Sequence, residues 1–130
     1  MSGASVLPTS AINGTQVTNR DGEDLGKIED LVIDLEYGTI SYAILSFGGF
    51  MGMGSKWFAI PWRKLEPSST EKKFALEVTK ESLQSAEGFD KDNWPEMDRN
   101  WGKAIDEHYG VDPYWEGEAK SSRGRTSSRT

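Results

Sequence analysis

Apolar and polar positions alternate with a period of two in several short runs of this chain, and each run is bounded by a turn signal. In residues 25–35, Ile28, Leu31, Ile33 and Leu35 are interleaved with Glu29, Asp30 and Asp34. The alternation is clean only from Leu31 onward, so a helix competes for residues 24–35, but Gly22 and Gly38 at either end favour a strand. A tight turn at Glu36-Tyr37-Gly38 leads to a second run, with Ile40, Tyr42, Ile44 and Ser46 on one face and Ser41, Ala43, Leu45 and Phe47 on the other. Both faces are largely apolar, which predicts a central strand. A glycine-rich connection follows, then a third strand over residues 57–62. Pro61 belongs at its edge or end, because proline has no N–H for the ladder. Phe74, Leu76 and Val78 alternate with Lys73, Glu77 and Thr79 in a last, half-buried strand. Residues 15–18 supply a first short strand, and Asn19-Arg20-Asp21-Gly22 is a turn. The pattern predicts a small, mainly β domain built from consecutive hairpins.

The flanks read differently. Residues 1–12 are small and polar and form a flexible lead; residues 13–89 make the β domain. A core of that size is marginal alone, so further burial is expected from residues 90–116. There Trp94-Pro95 opens a helical pattern that places Met97, Trp101, Ala104, Ile105 and His108 on one face. Asp92 or Asn93 is positioned to cap its start and Gly110 to end it. Asp112-Pro113-Tyr114-Trp115-Glu116 follows as an aromatic anchor, and residues 117–130, which hold no large apolar side chain, are expected to be a disordered basic tail.

Charge narrows the choice of partner. The chain has 21 acidic and 15 basic residues, a net charge of −6. Four of the basic residues (Lys120, Arg123, Arg125 and Arg129) lie in the last eleven positions, which leaves 11 basic against 21 acidic in residues 1–119, a net −10. Such a body repels phosphate backbones, so the folded part is not expected to bind nucleic acid. The absence of cysteine removes disulfides, thiolate metal sites and a cysteine nucleophile. The first residues lack the basic and apolar regions of a secretory signal, and the longest apolar run, near residues 42–45, is far short of a membrane span. A cytoplasmic protein without membrane insertion is expected.

Four stretches in order resemble the PRC-barrel family: Gly14-Thr15-Gln16-Val17, the segment GEDLGKIEDLVID at residues 22–34, GTISYAI at 38–44 and Phe58-Ala59-Ile60-Pro61-Trp62. The family takes its name from the cytoplasmic domain of the photosynthetic reaction-centre H subunit. It also includes the C-terminal domain of a ribosome maturation factor and many small stand-alone bacterial proteins. The resemblance covers about residues 13–89, and Asn93-Trp94-Pro95 with residues 109–116 is similar to the C-terminal extension of the stand-alone members. It implies a small, strongly bent antiparallel β-barrel with a C-terminal α-helical extension. It further implies a docking or assembly role with no shared catalytic residues. The chain has neither the H subunit's membrane helix nor the maturation factor's second domain, so neither photosynthetic nor ribosomal function is carried over.

Candidate chemistry is sparse. The loop Gly49-Phe50-Met51-Gly52-Met53-Gly54-Ser55-Lys56 approaches a phosphate-binding loop, but its serine and lysine stand in reversed order and a strand follows where the motif needs a helix. Its Phe50, Met51 and Met53 offer an adaptable apolar docking tip, or else fold back over an open barrel end. Asn19, Asp21, Glu23, Asp24, Glu29 and Asp30 cluster about a turn, yet a calcium loop counted from Asn19 would need glycine where Asp24 stands, and a solvated turn is the simpler reading. His108 is the only histidine and reads as a packing residue or a helix C-terminal charge. Trp57, Trp62, Trp94, Trp101 and Trp115 lack the basic company of a base-stacking platform, apart from Arg63 and Lys64 beside Trp62, and point to packing and helix docking.

No catalytic residue, cofactor or metal site is expected. The expected function is a non-enzymatic interaction or assembly module, acting as a homodimer with a further, unidentified protein partner. Its partner-binding residues are Phe50, Met51 and Met53 at a barrel end, with Trp94, Trp101, Tyr114 and Trp115 closing the domain or gripping a second copy. Two alternatives stay open. One is an RNA-processing or ribosome-associated accessory role using Arg63, Lys64 and the basic tail; the other is a small-molecule or metal-binding stress protein using the acidic turn or the glycine loop.

Overall fold

The computed structural model describes residues 6–48, 55–68 and 72–116. They fall into two compact units divided between Pro95 and Glu96. In the first, a helical turn α1 (Thr9–Ile12) precedes β1 (Gln16–Thr18), β2 (Asp24–Asp34), β3 (Thr39–Gly48), β4 (Ser55–Pro61), β5 (Leu65–Pro67), β6 (Lys73–Leu76) and a short helix α2 (Lys80–Ser85). The second unit contains α3 (Arg99–His108). The six strands form one strongly bent sheet in the order β4-β3-β2-β1-β6-β5, a half-barrel. The mainly β architecture with a C-terminal helix is the one expected.

Neighbouring strands are antiparallel except β1 and β6, which run parallel with Val17 opposite Phe74. A parallel pair needs a long crossover. Here the crossover consists of the intervening strands themselves, so the bend of the sheet is what brings β6 round to β1. β3 sits between β2 and β4 as the apolar pattern on both faces required: every residue from Ser41 to Phe47 is buried. Val17, Leu25, Ile28, Ile44, Leu45, Ile60, Leu76 and Leu83 are the most completely enclosed apolar side chains. Each contributes about 1.5–3 kcal/mol by leaving water. Pro61 is the last residue of the edge strand β4, where its missing N–H costs no ladder bond.

The bend has an identifiable origin. Gly26 in β2 pairs with Val17 on one side and has φ of 110°, in the left-handed region. A Cβ placed there would stand 2.0 Å from the carbonyl oxygen of Ser46 in β3. Only glycine permits that approach. The ladder register slips nearby, between Val17 and Thr18 on one side and between Ile28 and Asp30 on the other. Such bulges sharpen local twist. Glu29, the residue skipped by the second slip, accepts a 2.6 Å hydrogen bond from the Ser46 hydroxyl, which fastens the two strands at the bend.

Side-chain caps build the turns. Asn19, buried, accepts from the Glu23 amide and donates Nδ2 to both the Glu23 carboxylate (2.7 Å) and the Val78 carbonyl (3.1 Å), tying the β1–β2 turn to the chain beyond β6. Asp34 closes the β2–β3 hairpin, its Oδ1 accepting from the amides of Glu36 and Tyr37 while Gly38 N–H reaches the Asp34 carbonyl. These are Asx-type turns.

Four local features differ from the sequence pattern. The lead is ordered from Thr9, because Ile12 is buried and the Thr15 hydroxyl bonds the Ile12 carbonyl at 2.6 Å. β5 and α2 carry too few residues to show a period; α2 starts at a Thr79 cap that accepts from Ser82 N–H, and it buries Leu83. β6 ends at Leu76 and Val78 lies past it, its carbonyl taken by Asn19. The C-terminal helix begins at Arg99 behind an Asp98 cap that accepts from Trp101 N–H, not at Trp94-Pro95 behind Asp92 or Asn93. Those two residues lie in a turn where Asn93 N–H bonds the Asp90 carbonyl. Gly110, with φ of 69°, follows the last helical turn, as expected.

Replacing Gly26 by alanine forces either β3 away or φ into another region, and stability is expected to fall by roughly 3 kcal/mol or more. Urea denaturation checks this; an unchanged midpoint contradicts the origin assigned to the bend.

Candidate interaction surface

The outer flank of edge strand β4 carries an aromatic group. Trp57 N–H donates to the Phe89 carbonyl at 3.0 Å, and Phe89 N–H donates to the Trp57 carbonyl at 2.9 Å, so the segment after α2 is laid along β4 at one point. Gly88 makes that contact possible, since a Cβ there would stand 2.8 Å from the Phe58 ring and 3.0 Å from the Trp57 carbonyl oxygen. The turn through Asp90 and Asn93 then returns Trp94 over the bridge, with its indole N–H on the Lys91 carbonyl at 2.8 Å. Trp94 meets Trp57 edge-on, ring centroids 5.9 Å apart, and lies 5.2 Å from Phe89. Aromatic pairs at such distances contribute about 0.5–1.5 kcal/mol each beyond their buried area. Trp94 nevertheless stays 38% exposed, an aromatic face fixed in place and presented to solvent.

Trp101, Tyr114 and Trp115 lie in the second unit. Residues 114–116 form one helical turn, and the rings of Tyr114 and Trp115 meet nearly perpendicular, 5.1 Å between centroids. Arg99, at the start of α3, donates to the Tyr114 hydroxyl at 3.0 Å and places its guanidinium 4.7 Å from the centre of the Trp115 ring. A cation over an indole at that distance contributes about 0.5–1 kcal/mol where exposed. The aromatic anchor is therefore held by the first turn of its own helix.

The apolar stripe of α3 is rotated from the pattern read in sequence. Gly102 and Asp106 are buried and Trp101 and Ile105 half-buried, whereas Ala104 and His108 are exposed. His108 is thus not enclosed; it stands in the last helical turn, its ring edge-on to that of Tyr109 with centroids 4.7 Å apart. Tyr109 follows it, buried, with a hydroxyl that has no hydrogen-bond partner among the described residues. Burial pushes the Tyr109 phenol well above its ordinary value.

Of the residues expected to bind a partner, Trp94 joins Trp57 and Phe89, and Tyr114 joins Trp115. Phe50, Met51 and Met53 lie outside the described residues, in the connection between β3 and β4. A strand and not a helix follows that connection, so the arrangement a phosphate loop requires is missing. Asn19 and Glu23 are spent on their own turn, and among the described residues no three His, Asp or Glu side chains converge as a metal-holding group. Trp62 packs against Phe74, centroids 5.8 Å apart, which occupies one ring that a stacked base would need. Sequence reading missed Phe89 as the partner of both tryptophans; the glycine before it was the available signal, marking a close backbone approach.

A family model for the PRC-barrel domain matches residues 6–83, more than half of the chain. The chain belongs to the PRC-barrel family. No curated protein matches it. Membership places it among domains that in general serve protein interaction and are generally non-catalytic. Among the described residues, no helix is long and apolar enough to cross a membrane.

The buried Tyr109 phenol yields a prediction with a defined sign. Its folded-state pKa is raised, so the neutral form is the stable one; the contribution is fully present below pH 10 and is lost as pH rises above it. Tyr109→Phe is expected to flatten the loss of stability above pH 10 and, by removing an unpaired buried hydroxyl, to raise stability near neutrality by about 1 kcal/mol. Thermal unfolding of both proteins as a function of pH checks both effects.

Proposed function

We propose that this protein is a non-enzymatic assembly module that acts as a homodimer through the outer flank of β4 and the glycine-rich connection preceding it. The observation that carries this reading is Trp94, clamped by Trp57 and Phe89 against an edge strand and still 38% exposed. A rigid, part-exposed tryptophan is the side chain that most often anchors a protein interface. An edge strand beside it is the element through which sheets pair with other copies. Phe50, Met51 and Met53, in the connection leading into β4, add adaptable apolar side chains to the same surface in this reading. Trp101, Tyr114 and Trp115 serve to close the second unit, a role supported by the Arg99 contacts.

The test is oligomeric state. Light scattering is expected to give a dimer for the native chain and a folded monomer for a variant combining Trp94→Asp with serine at Phe50, Met51 and Met53. A native chain that remains monomeric at high concentration sinks the homodimer, and a variant that still dimerises removes this surface from the contact.

A further inference from the structure

The β2–β3 hairpin extends beyond the sheet that supports it. β1 pairs with β2 only as far as Lys27, and β4 pairs with β3 only from Tyr42 onward, yet β2 and β3 remain paired to their ends at Asp34 and Thr39. Among the described residues, the tip is therefore a two-stranded ribbon. Ile33 and Ile40 are cross-strand partners just beyond a register slip, on whose near side Val32 pairs with the buried Tyr42. Ile33 is 45% exposed and Leu35, two residues further on, 91%. They are two of the five large apolar side chains exposed among the described residues. A strand tip rich in aliphatic side chains and flanked on neither edge is ordinarily blunted by lysine or proline. This one has neither: from Ile28 to Ser55 there is no basic residue, while Glu29, Asp30, Asp34 and Glu36 are all in its first nine positions.

The charge decides among occupants. A second copy docked tip to tip would bring Asp30, Asp34 and Glu36 against the same three acids, and anionic lipid or nucleic acid would be repelled in the same way. The chain's own residues 117–130 carry the complementary charge but no large apolar side chain to cover Ile33 and Leu35. We infer that the β2–β3 hairpin tip is a second docking surface, distinct from the β4 flank, for a partner segment in which aliphatic or aromatic side chains are interspersed with lysine or arginine. The apolar residues of such a segment cover Ile33, Leu35 and Ile40, and its cations meet the acidic rim. The like charge of the rim also directs self-association away from this tip and leaves the β4 flank for it.

Defined peptides test the proposal on the full chain: a short peptide alternating leucine with lysine, the same peptide with glutamate for lysine, and oligolysine of equal charge. The leucine–lysine peptide is expected to bind and to shift the methyl resonances of Ile33, Leu35 and Ile40. Its affinity should fall about tenfold in Ile33→Ser/Leu35→Ser, which leaves net charge unchanged, and also in Asp30→Asn/Glu36→Gln, which leaves the apolar side chains in place. Leu35→Ser alone, at so exposed a position, guards against loss of fold. The leucine–glutamate peptide should not bind. Equal binding of oligolysine, undiminished binding by the serine variants, or resonance shifts confined to other strands would each overturn the proposal. A concentration-dependent dimer abolished by Leu35→Ser would overturn it too, by making the occupant a second copy. None of these outcomes depends on whether the β4 flank dimerises, since Trp94 is untouched in every variant.

Discussion

At Gly26 the backbones of β2 and β3 pass so closely that any side-chain carbon would overlap the Ser46 carbonyl oxygen. That approach turns β2 so that its first third serves β1 while the rest serves β3, and so curls the sheet. Because the sheet curls, β6 arrives beside β1 and the enclosed space is filled by Val17, Leu25, Ile28, Ile44, Leu45, Ile60 and Leu76. A flat sheet of these short strands would leave one apolar face of β3 in water. The bond from Ser46 to Glu29, across the register slip, holds the same point by polar means. The half-barrel thus depends on one position without a Cβ and on one carboxylate placed at the residue the ladder skips.

Around this bend, short segments are attached at single points rather than along whole elements. Asn19 joins the first turn to the chain after β6, and the Trp57–Phe89 bridge joins the segment after α2 to the edge of the sheet. Arg99 gathers Tyr114 and Trp115 within the C-terminal unit. Each attachment uses a directional contact, because the segments are too short to bury much area. Two consequences bear on function. Aromatic rings end up fixed while part of their surface stays accessible, and the one long hairpin outruns its neighbours and leaves aliphatic side chains at its tip. A domain of this kind presents apolar features to solvent, in keeping with the interaction role general to its family.

The strands were legible where a period of two ran long enough. β3 and β4 were read nearly to their ends, and the doubled apolar faces of β3 announced its interior place. β5 and α2, of three and six residues, are shorter than any period that could disclose them. The helix start was misplaced because Asp92-Asn93 and Asp98 both have the chemistry of a cap; the first pair is drawn into the turn that returns Trp94, which leaves Asp98 to open α3. The face of α3 was misjudged for a related reason. Apolar spacing favoured Ala104 and His108, while the structure buries Gly102 and Asp106. At the candidate surface Trp94 was named from sequence, but its company was not: Trp57 is distant in the chain, and the turn through Asp90 and Asn93 that returns Trp94 to Phe89 shows no apolar period.

By itself, then, the order of apolar residues, turns and glycines determined a mainly β domain with a helical C-terminal extension, its family and its acidic character, because these follow from local stereochemistry and summed charge. Tertiary structure alone decided which apolar side chains the sheet encloses and which it leaves outside. Leu31, Ile33 and Leu35 alternate in the run that follows Ile28, yet Ile28 is sealed in the core and Leu35 stands almost wholly in water. The difference is set by where β1 and β4 stop pairing, and the length of a neighbouring strand is not written in the strand it leaves uncovered.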